Sequence, residues 1–218
     1  MWQVLGRIAG ALNESGVLWC VGASVLLHQY GLAEHPHDID LLIALPDAER
    51  AAGILGAMGE AVPCGQSSTY STKFFRRFRV DGCDVDLMAG FRVNHSSGCY
   101  EYPFDVASVA SIRELSDITI PFGAGSVAST REVGDTPPPF DAVSAASTRE
   151  NSGTPVPFAA LEDWYVVYQL IPGKEHKALR IEEYFLQSGI QKPHLLTRAL
   201  EGSLPEVVRR KISALLGK

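Results

Sequence analysis

The chain has few cysteines and no excess of basic residues, and each shortage argues against one class of protein. Only four cysteines occur among 218 residues, and none forms a C-x-x-C pair. This spacing argues against a zinc site, and the apolar, strand-like surroundings of Cys20 and Cys83 favour buried free thiols at these two positions. Lys and Arg number 19 against 25 Asp and Glu, giving a net charge of −6. The acidic balance argues against a large nucleic-acid footprint, although it leaves room for a local basic pocket.

Long apolar runs are also missing. No run approaches the roughly 20 apolar residues that span a bilayer. Near the N-terminus, Val4, Ile8 and Leu12 recur at helical spacing, and Arg7 and Glu14 interrupt the apolar character. This pattern favours an amphipathic helix over a signal peptide. We therefore expect a soluble, cytoplasmic protein with no membrane partner.

Helical and strand patterns alternate through the first part of the chain. The predicted order is helix 2–14, strand 17–22, helix 24–30, strand 38–45, helix 48–59 and a hairpin of strands 73–80 and 83–91. Ser24 is the expected N-cap of the second helix and Gly31 its stop, while Asp47 is expected to cap the third. Asp81-Gly82 is a typical hairpin turn. The pattern predicts the α/β class: a small mixed β-sheet with flanking helices.

From about residue 161 the pattern becomes purely helical. Four amphipathic segments are predicted: 161–170, 174–187, 193–201 and 205–216. The predicted organisation is therefore an α/β domain over 1–108, a repeat-containing insertion over 109–158 and a C-terminal helical region over 159–218.

The predicted insertion carries an internal repeat with a period of 18 residues. Pro-Phe recurs at 103, 121, 139 and 157, and VASIRE at 109–114 returns as VASTRE and AASTRE. Later copies lose apolar residues and gain Pro, Ser, Thr and Gly, a composition that buries little surface. We interpret the segment as a tandem duplication that is largely irregular, in which the first or last copy can still pair with the sheet.

Two small motifs are predicted to lie close together in the α/β part. Gly22-Ala23-Ser24 ends one strand and opens a helix, and Asp38-Ile39-Asp40 opens the next strand. Side chains alternate along a strand, so Asp38 and Asp40 share a face about 7 Å apart. Two such carboxylates repel each other unless a cation lies between them, and Mg²⁺ accepts one or two carboxylates together with substrate phosphates. A glycine turn before a helix allows a phosphate to approach the backbone, and the Ser24 hydroxyl can donate to it.

The second strand of the hairpin supplies a third carboxylate. Asp84 and Asp86 alternate with Val85 and share a face. One of them can act as a general base or as a ligand to a second metal ion. Asp86 is preferred because both of its neighbours are apolar, and Asp84 is the alternative. On the preceding strand, Lys73, Arg77 and Arg79 are all odd-numbered and would point to the same face. This arrangement suits either a solvated face or contact with a triphosphate.

These residues resemble a known signature. Val-Gly-Ala-Ser at 21–24, a gap of thirteen residues and Asp-Ile-Asp-Leu at 38–41 are similar to the signature of the DNA polymerase β-like nucleotidyltransferase superfamily, and closest to its small, antibiotic-type members. The resemblance covers roughly residues 15–92. Ala23 stands where many members have glycine, and the repeat departs from the family.

The resemblance implies a nucleotidyltransferase fold and an NTP, such as ATP, as substrate. By position, Gly22, Ala23 and Ser24 would bind the nucleotide, while Asp38, Asp40 and Asp86 would be catalytic and would bind Mg²⁺. The implied reaction transfers a nucleoside monophosphate to an acceptor hydroxyl and releases pyrophosphate. The alternative is a non-catalytic relative that binds a nucleotide, or a regulatory partner as in toxin–antitoxin pairs. The acceptor, the base and the oligomeric state stay open.

Overall fold

Helices pack around one long mixed sheet in the structure, a computed structural model that describes residues 1–65, 67–115 and 153–217. The helices are α1 (Trp2–Glu14), α2 (Ala23–Gln29), α3 (Ala48–Met58), α4 (Leu161–Leu170), α5 (Glu175–Ser188), α6 (Pro193–Ala199) and α7 (Glu206–Leu215). The strands are β1 (Trp19–Val21), β2 (Asp38–Ile43), β3 (Glu60–Val62), β4 (Phe74–Val80), β5 (Cys83–Ala89), β6 (Arg92–His95), β7 (Gly98–Glu101), β8 (Val109–Glu114) and β9 (Pro155–Ala159). Among these helices, none combines the length and the apolar character that crossing a membrane requires.

The main sheet has seven strands in the order β3-β4-β5-β2-β1-β9-β8. Strand β2 runs parallel to β5, and β1 runs parallel to β9, whereas the other neighbours are antiparallel. Strands β6 and β7 form a separate ribbon. The predicted α/β class, a mixed sheet followed by C-terminal helices, is confirmed.

The hairpin that carries the third carboxylate forms where its turn residues predict it. Asp81 and Gly82 have φ angles of 47° and 78°. Positive φ at both central residues is the requirement of the two-residue turn that matches the twist of adjacent strands. Strands β4 and β5 consequently pair from Val80 and Cys83 down to Phe74 and Ala89.

One of the predicted caps is wrong, and another is correct only in its position. Helix α2 begins at Ala23 with Gly22 as its N-cap, so Ser24 lies inside the first turn and leaves its hydroxyl free for another partner. Asp47 does occupy the N-cap position of α3, but its carboxylate accepts from the backbone N–H of Leu18 and from Arg50 instead of capping the helix. The predicted stop at Gly31 agrees with the structure, because Gly31 follows the end of α2 with φ +69°.

The two ends of the repeat segment belong to the main sheet. The first VASIRE copy is strand β8, and the last Pro-Phe copy lies in β9. These strands pair with each other, and β9 continues to β1. The sheet therefore crosses the predicted boundaries at 108 and 158. The copies between them, within 116–152, lie outside the described residues.

A buried polar cluster fixes the C-terminal helices against the sheet. Asp163 on α4 is fully buried and accepts hydrogen bonds from the hydroxyl of Tyr102 and the guanidinium of Arg198 on α6. Arg198 also pairs with Asp105. Because a buried carboxylate requires such compensation, the cluster sets the position of α4. That position brings Trp164 and Tyr168 next to the end of β1 and the start of β2.

Candidate active site

The acidic side chains predicted to form a site lie on adjacent parallel strands. In the register of β2 and β5, Asp38 is opposite Asp84 and Asp40 is opposite Asp86. Register partners in neighbouring strands point to the same side of a sheet, so all four carboxylates share one face. The prediction that the hairpin places Asp86 beside the Asp38 strand is confirmed.

The neighbouring strand β4 supplies an arginine to each carboxylate of β5. Arg77 donates through Nε to one oxygen of Asp86 at 2.6 Å and through Nη2 to the other at 2.7 Å. Arg79 pairs with Asp84 at 2.5 Å. Asp86 lies in the wall of a cavity that also contains Asp38 and Asp40, whereas Asp84 does not line that cavity. This placement favours Asp86 over Asp84 as the third acidic residue.

The Ser24 hydroxyl connects the small-residue turn to the acidic pair. It donates to Asp38 Oδ1 at 3.1 Å. The turn and the start of β2 adjoin because the backbone N–H of Gly22 donates to the carbonyl oxygen of Asp40 at 2.9 Å. The structure therefore brings together the two motifs that the sequence predicted to form one site.

The absence of a side chain at Gly22 has a structural reason that the sequence did not suggest. A Cβ built on Gly22 would lie 2.3 Å from Cζ2 and 2.6 Å from Nε1 of Trp164. The missing side chain therefore makes room for the indole ring, while the approach of a phosphate to this glycine stays a prediction. The next residue, Ala23, has φ +45°, a left-handed conformation that suits glycine better.

The acidic pair opens into a cavity of about 580 Å³. One part of its wall is aromatic and includes Tyr70, Phe91, Trp164 and Tyr168. Two buried donors in this wall, Nε1 of Trp164 and the hydroxyl of Tyr168, have no hydrogen-bond partner among the described residues. Buried polar groups are rarely left without a partner, so these two donors are unusual.

Two lysines in the cavity wall were missed by the sequence analysis. Lys174 and Lys177 lie at the start of α5, and Lys177 reaches over the ring of Tyr168, 5.1 Å from its centroid. Burial and the neighbouring charge of Lys174 lower the pKa of Lys177, although Asp40 and Asp38 act in the opposite direction. The first turn of α5 also contains Glu175, so no local charge pattern distinguishes these lysines.

The charges around Asp40 are not balanced by the chain itself. Burial raises the pKa of Asp40 to about 8, and the neighbouring carboxylates of Asp38 and Asp86 add to that effect. Lys177 and Arg77 oppose it only in part. A cation beside Asp40 would therefore be favourable. Oxygen donors from Asp38 and Asp40 fit Mg²⁺, which usually completes its shell with phosphates and waters.

The third carboxylate does not complete a ready metal site. In the described part of the chain, no three His, Cys, Asp or Glu side chains form a group placed to hold a metal ion. The hydrogen bonds of Asp86 bear on its availability as a metal ligand, since both of its oxygens already accept from Arg77. Joint metal binding by Asp38, Asp40 and Asp86 thus stays a prediction.

Comparisons with known proteins give similar structures at low sequence identity. No protein-family model and no curated protein sequence matches the chain. A "putative nucleotidyltransferase" from Thermotoga maritima is similar with 18% identity and a TM-score of 0.49, over 85% of this chain and 92% of that chain. The solution structure of the antibiotic-resistance factor ANT(2'')-Ia is similar with 11% identity and a TM-score of 0.48, over 99% and 92%.

A crystal structure of ANT(2")-Ia in complex with adenylyl-2"-tobramycin is also similar. Its identity is 11% and its TM-score 0.47, over 98% of this chain and 97% of that chain.

Proposed function

We propose that the protein is a Mg²⁺-dependent nucleotidyltransferase that moves a nucleoside monophosphate from an NTP to an acceptor hydroxyl. One observation carries the proposal. Asp38 and Asp40 share a strand face, with Asp86 opposite Asp40 and the hydroxyl of Ser24 bonded to Asp38, and all four line one cavity. The same arrangement carries the sequence resemblance to the DNA polymerase β-like superfamily.

Asp38 and Asp40 would hold the cation together with the phosphates of the NTP. When bound, Mg²⁺ would neutralise charge on the phosphates and on the departing pyrophosphate. The raised pKa of Asp40 supports this role, because the structure leaves its negative charge without sufficient compensation. Asp40 would lose its proton as the cation binds.

The triphosphate would take its remaining contacts from cationic and hydroxyl groups in the same wall. Lys174 and Lys177 line the cavity on the side of α5, and Ser24 lines it beside Asp38. Ammonium groups bind phosphates through charge-assisted hydrogen bonds, which are stronger than neutral ones. This position would hold the triphosphate between the lysines and the acidic pair.

The transfer itself would need a proton acceptor. The oxygen of the acceptor hydroxyl attacks the α-phosphorus, the bond to pyrophosphate breaks, and the hydroxyl proton goes to a carboxylate. Asp86 is the carboxylate in position, provided that Arg77 no longer occupies both of its oxygens. The alignment of these groups would supply much of the rate. We place the reaction in the cytoplasm, where NTP and Mg²⁺ are both plentiful.

One observation favours the alternative, a relative that binds a nucleotide or a regulatory partner without turnover. The ion pair between Arg77 and Asp86 removes the third carboxylate from chemistry in this state. If the pair persists when a nucleotide is bound, the protein would bind and not react.

Incubation with each labelled NTP and Mg²⁺, in the presence of cell extract as a source of acceptors, separates the two functions. We expect label transfer by the wild-type protein, its loss in Asp40→Ala and its retention in Asp84→Ala, the matched variant outside the cavity. Magnesium-dependent binding without transfer would establish the alternative. Absence of magnesium-dependent nucleotide binding would contradict both.

A further inference from the structure

The guanidinium of Arg77 and the carboxylate of Asp86 form a closed bidentate pair inside the proposed site. Both carboxylate oxygens accept from Arg77, and the Asp86 side chain is only 12% exposed. The hydrogen bond to Asp86 also raises the pKa of Arg77. In this state Asp86 can neither take a proton from an acceptor hydroxyl nor bind a cation without losing a strong contact.

Arg77 is the accessible member of this pair. Its side chain is 41% exposed and lines the cavity together with Asp38, Asp40 and Lys177. A guanidinium binds carboxylate and phosphate with the same two-pronged geometry. A triphosphate in the cavity therefore offers Arg77 a second acceptor of equal kind and higher charge.

We propose that Arg77 is a positioning residue that keeps Asp86 out of the metal and proton chemistry until a triphosphate draws its guanidinium away. The inference rests on the proposed function, because it requires a triphosphate in this cavity. When the guanidinium of Arg77 exchanges the carboxylate of Asp86 for a phosphate group, Arg77 stays paired and Asp86 is released beside Asp40. The three carboxylates are then available together only when substrate is present.

The adjacent pair in the same strands provides a matched control. Arg79 and Asp84 lie two residues along β4 and β5 and form a cross-strand ion pair through a single contact. Neither residue lines the cavity. Arg79→Gln therefore removes the same charge from the same strand at a residue outside the cavity wall.

The test measures Mn²⁺ affinity by electron paramagnetic resonance, first with the metal alone and then with the α,β-methylene analogues of the four common ribonucleoside triphosphates. With metal alone, we expect Arg77→Gln to bind Mn²⁺ at least about tenfold more tightly than wild type, because a cation next to the acidic cluster is gone. Arg79→Gln should gain much less, because its partner Asp84 faces Asp38 but does not line the cavity. With the effective analogue present, the difference between Arg77→Gln and wild type should disappear.

Arg77→Lys guards against a folding artefact, and thermal unfolding of each variant is recorded alongside. Lysine keeps the charge but cannot hold both oxygens, so its Mn²⁺ affinity should fall between those of wild type and Arg77→Gln. Equal metal-alone affinity in all proteins would overturn the inference, and so would an Arg77→Gln gain that persists with the analogue. If wild type binds Mn²⁺ and analogue but Arg77→Gln behaves as Arg79→Gln, only this inference fails. If no protein binds either, the proposed function fails with it.

Discussion

The indole ring of Trp164 covers Gly22 so closely that a Cβ on residue 22 would come 2.3 Å from Cζ2 of the ring. The contact joins the end of β1 to helix α4, although the two residues are far apart in the chain. It makes the shape of the candidate site depend on the C-terminal helices as well as on the acidic strands.

Gly22→Ala is expected to destabilise the protein by about 1–3 kcal/mol, since the added methyl group must displace a buried ring. The backbone at Gly22 has φ −126°, which any residue adopts, so the cost would come from the ring and not from the chain conformation. Urea denaturation measures it. The control is Gly53→Ala in α3, where a Cβ meets nothing within 4 Å.

In that control, alanine should stabilise the helix by about 0.5–1 kcal/mol. Equal stability of Gly22→Ala and wild type would show that Trp164 does not occupy this space in solution.

Asp40 should impose a pH dependence on the stability of the metal-free protein. Burial and the charges of Asp38 and Asp86 raise its pKa from 3.8 to about 8. Between those values the folded protein holds a proton that the unfolded chain releases, so the free energy of unfolding falls as pH rises. Asp40→Asn should remove this dependence. Its free energy of unfolding, relative to that of wild type, should be at least about 1 kcal/mol higher at pH 8 than at pH 5.

Denaturation in EDTA at pH 5 and pH 8 checks the expectation. Asp163, whose pKa is raised to about 7 by burial, is present in both proteins, so its effect cancels in the comparison. Parallel pH profiles for wild type and Asp40→Asn would show that Asp40 is not held in an uncompensated environment.

Local signals predicted the two acidic strands and the turn between β4 and β5. The alternation of Asp38 with Ile39 and the Asp-Gly dipeptide act over a few residues, and both gave the correct geometry. The pairing of Arg77 with Asp86 depends on the register of two strands, so only the strand face of Arg77 could be predicted from the sequence. The packing of Gly22 was missed because it depends on a ring in α4.

The position of the α5 lysines in the site could not be predicted from the sequence for the same kind of reason. Their distance in sequence from the acidic pair is large, and only the packing of α4 against α5, where the hydroxyl of Tyr165 donates to Glu182, brings them to the cavity. A pattern read along one segment carries no information about such docking. The 116–152 part of the repeat is not described, and its predicted irregular character stays a prediction.

Lys177→Gln is expected to lower the affinity for Mg²⁺–nucleotide by at least about tenfold, because a charge-assisted phosphate contact contributes roughly 1.5–3 kcal/mol. Titration calorimetry with the α,β-methylene analogue measures it. Arg210→Gln on α7 is the control, since it removes the same charge from a side chain that is 77% exposed and only pairs with Glu206. An unchanged affinity in Lys177→Gln would place the triphosphate elsewhere.

The proposed function requires that Asp38 and Asp40 hold a divalent cation against a nucleoside triphosphate. The test is calorimetric titration of the α,β-methylene analogues, with and without Mg²⁺, into wild type, Asp40→Asn and Asp84→Asn. We expect tight binding only with Mg²⁺, a loss of at least about tenfold in Asp40→Asn from the missing charged ligand, and wild-type affinity in Asp84→Asn. Binding that ignores Mg²⁺, or that survives unchanged in Asp40→Asn, would contradict it.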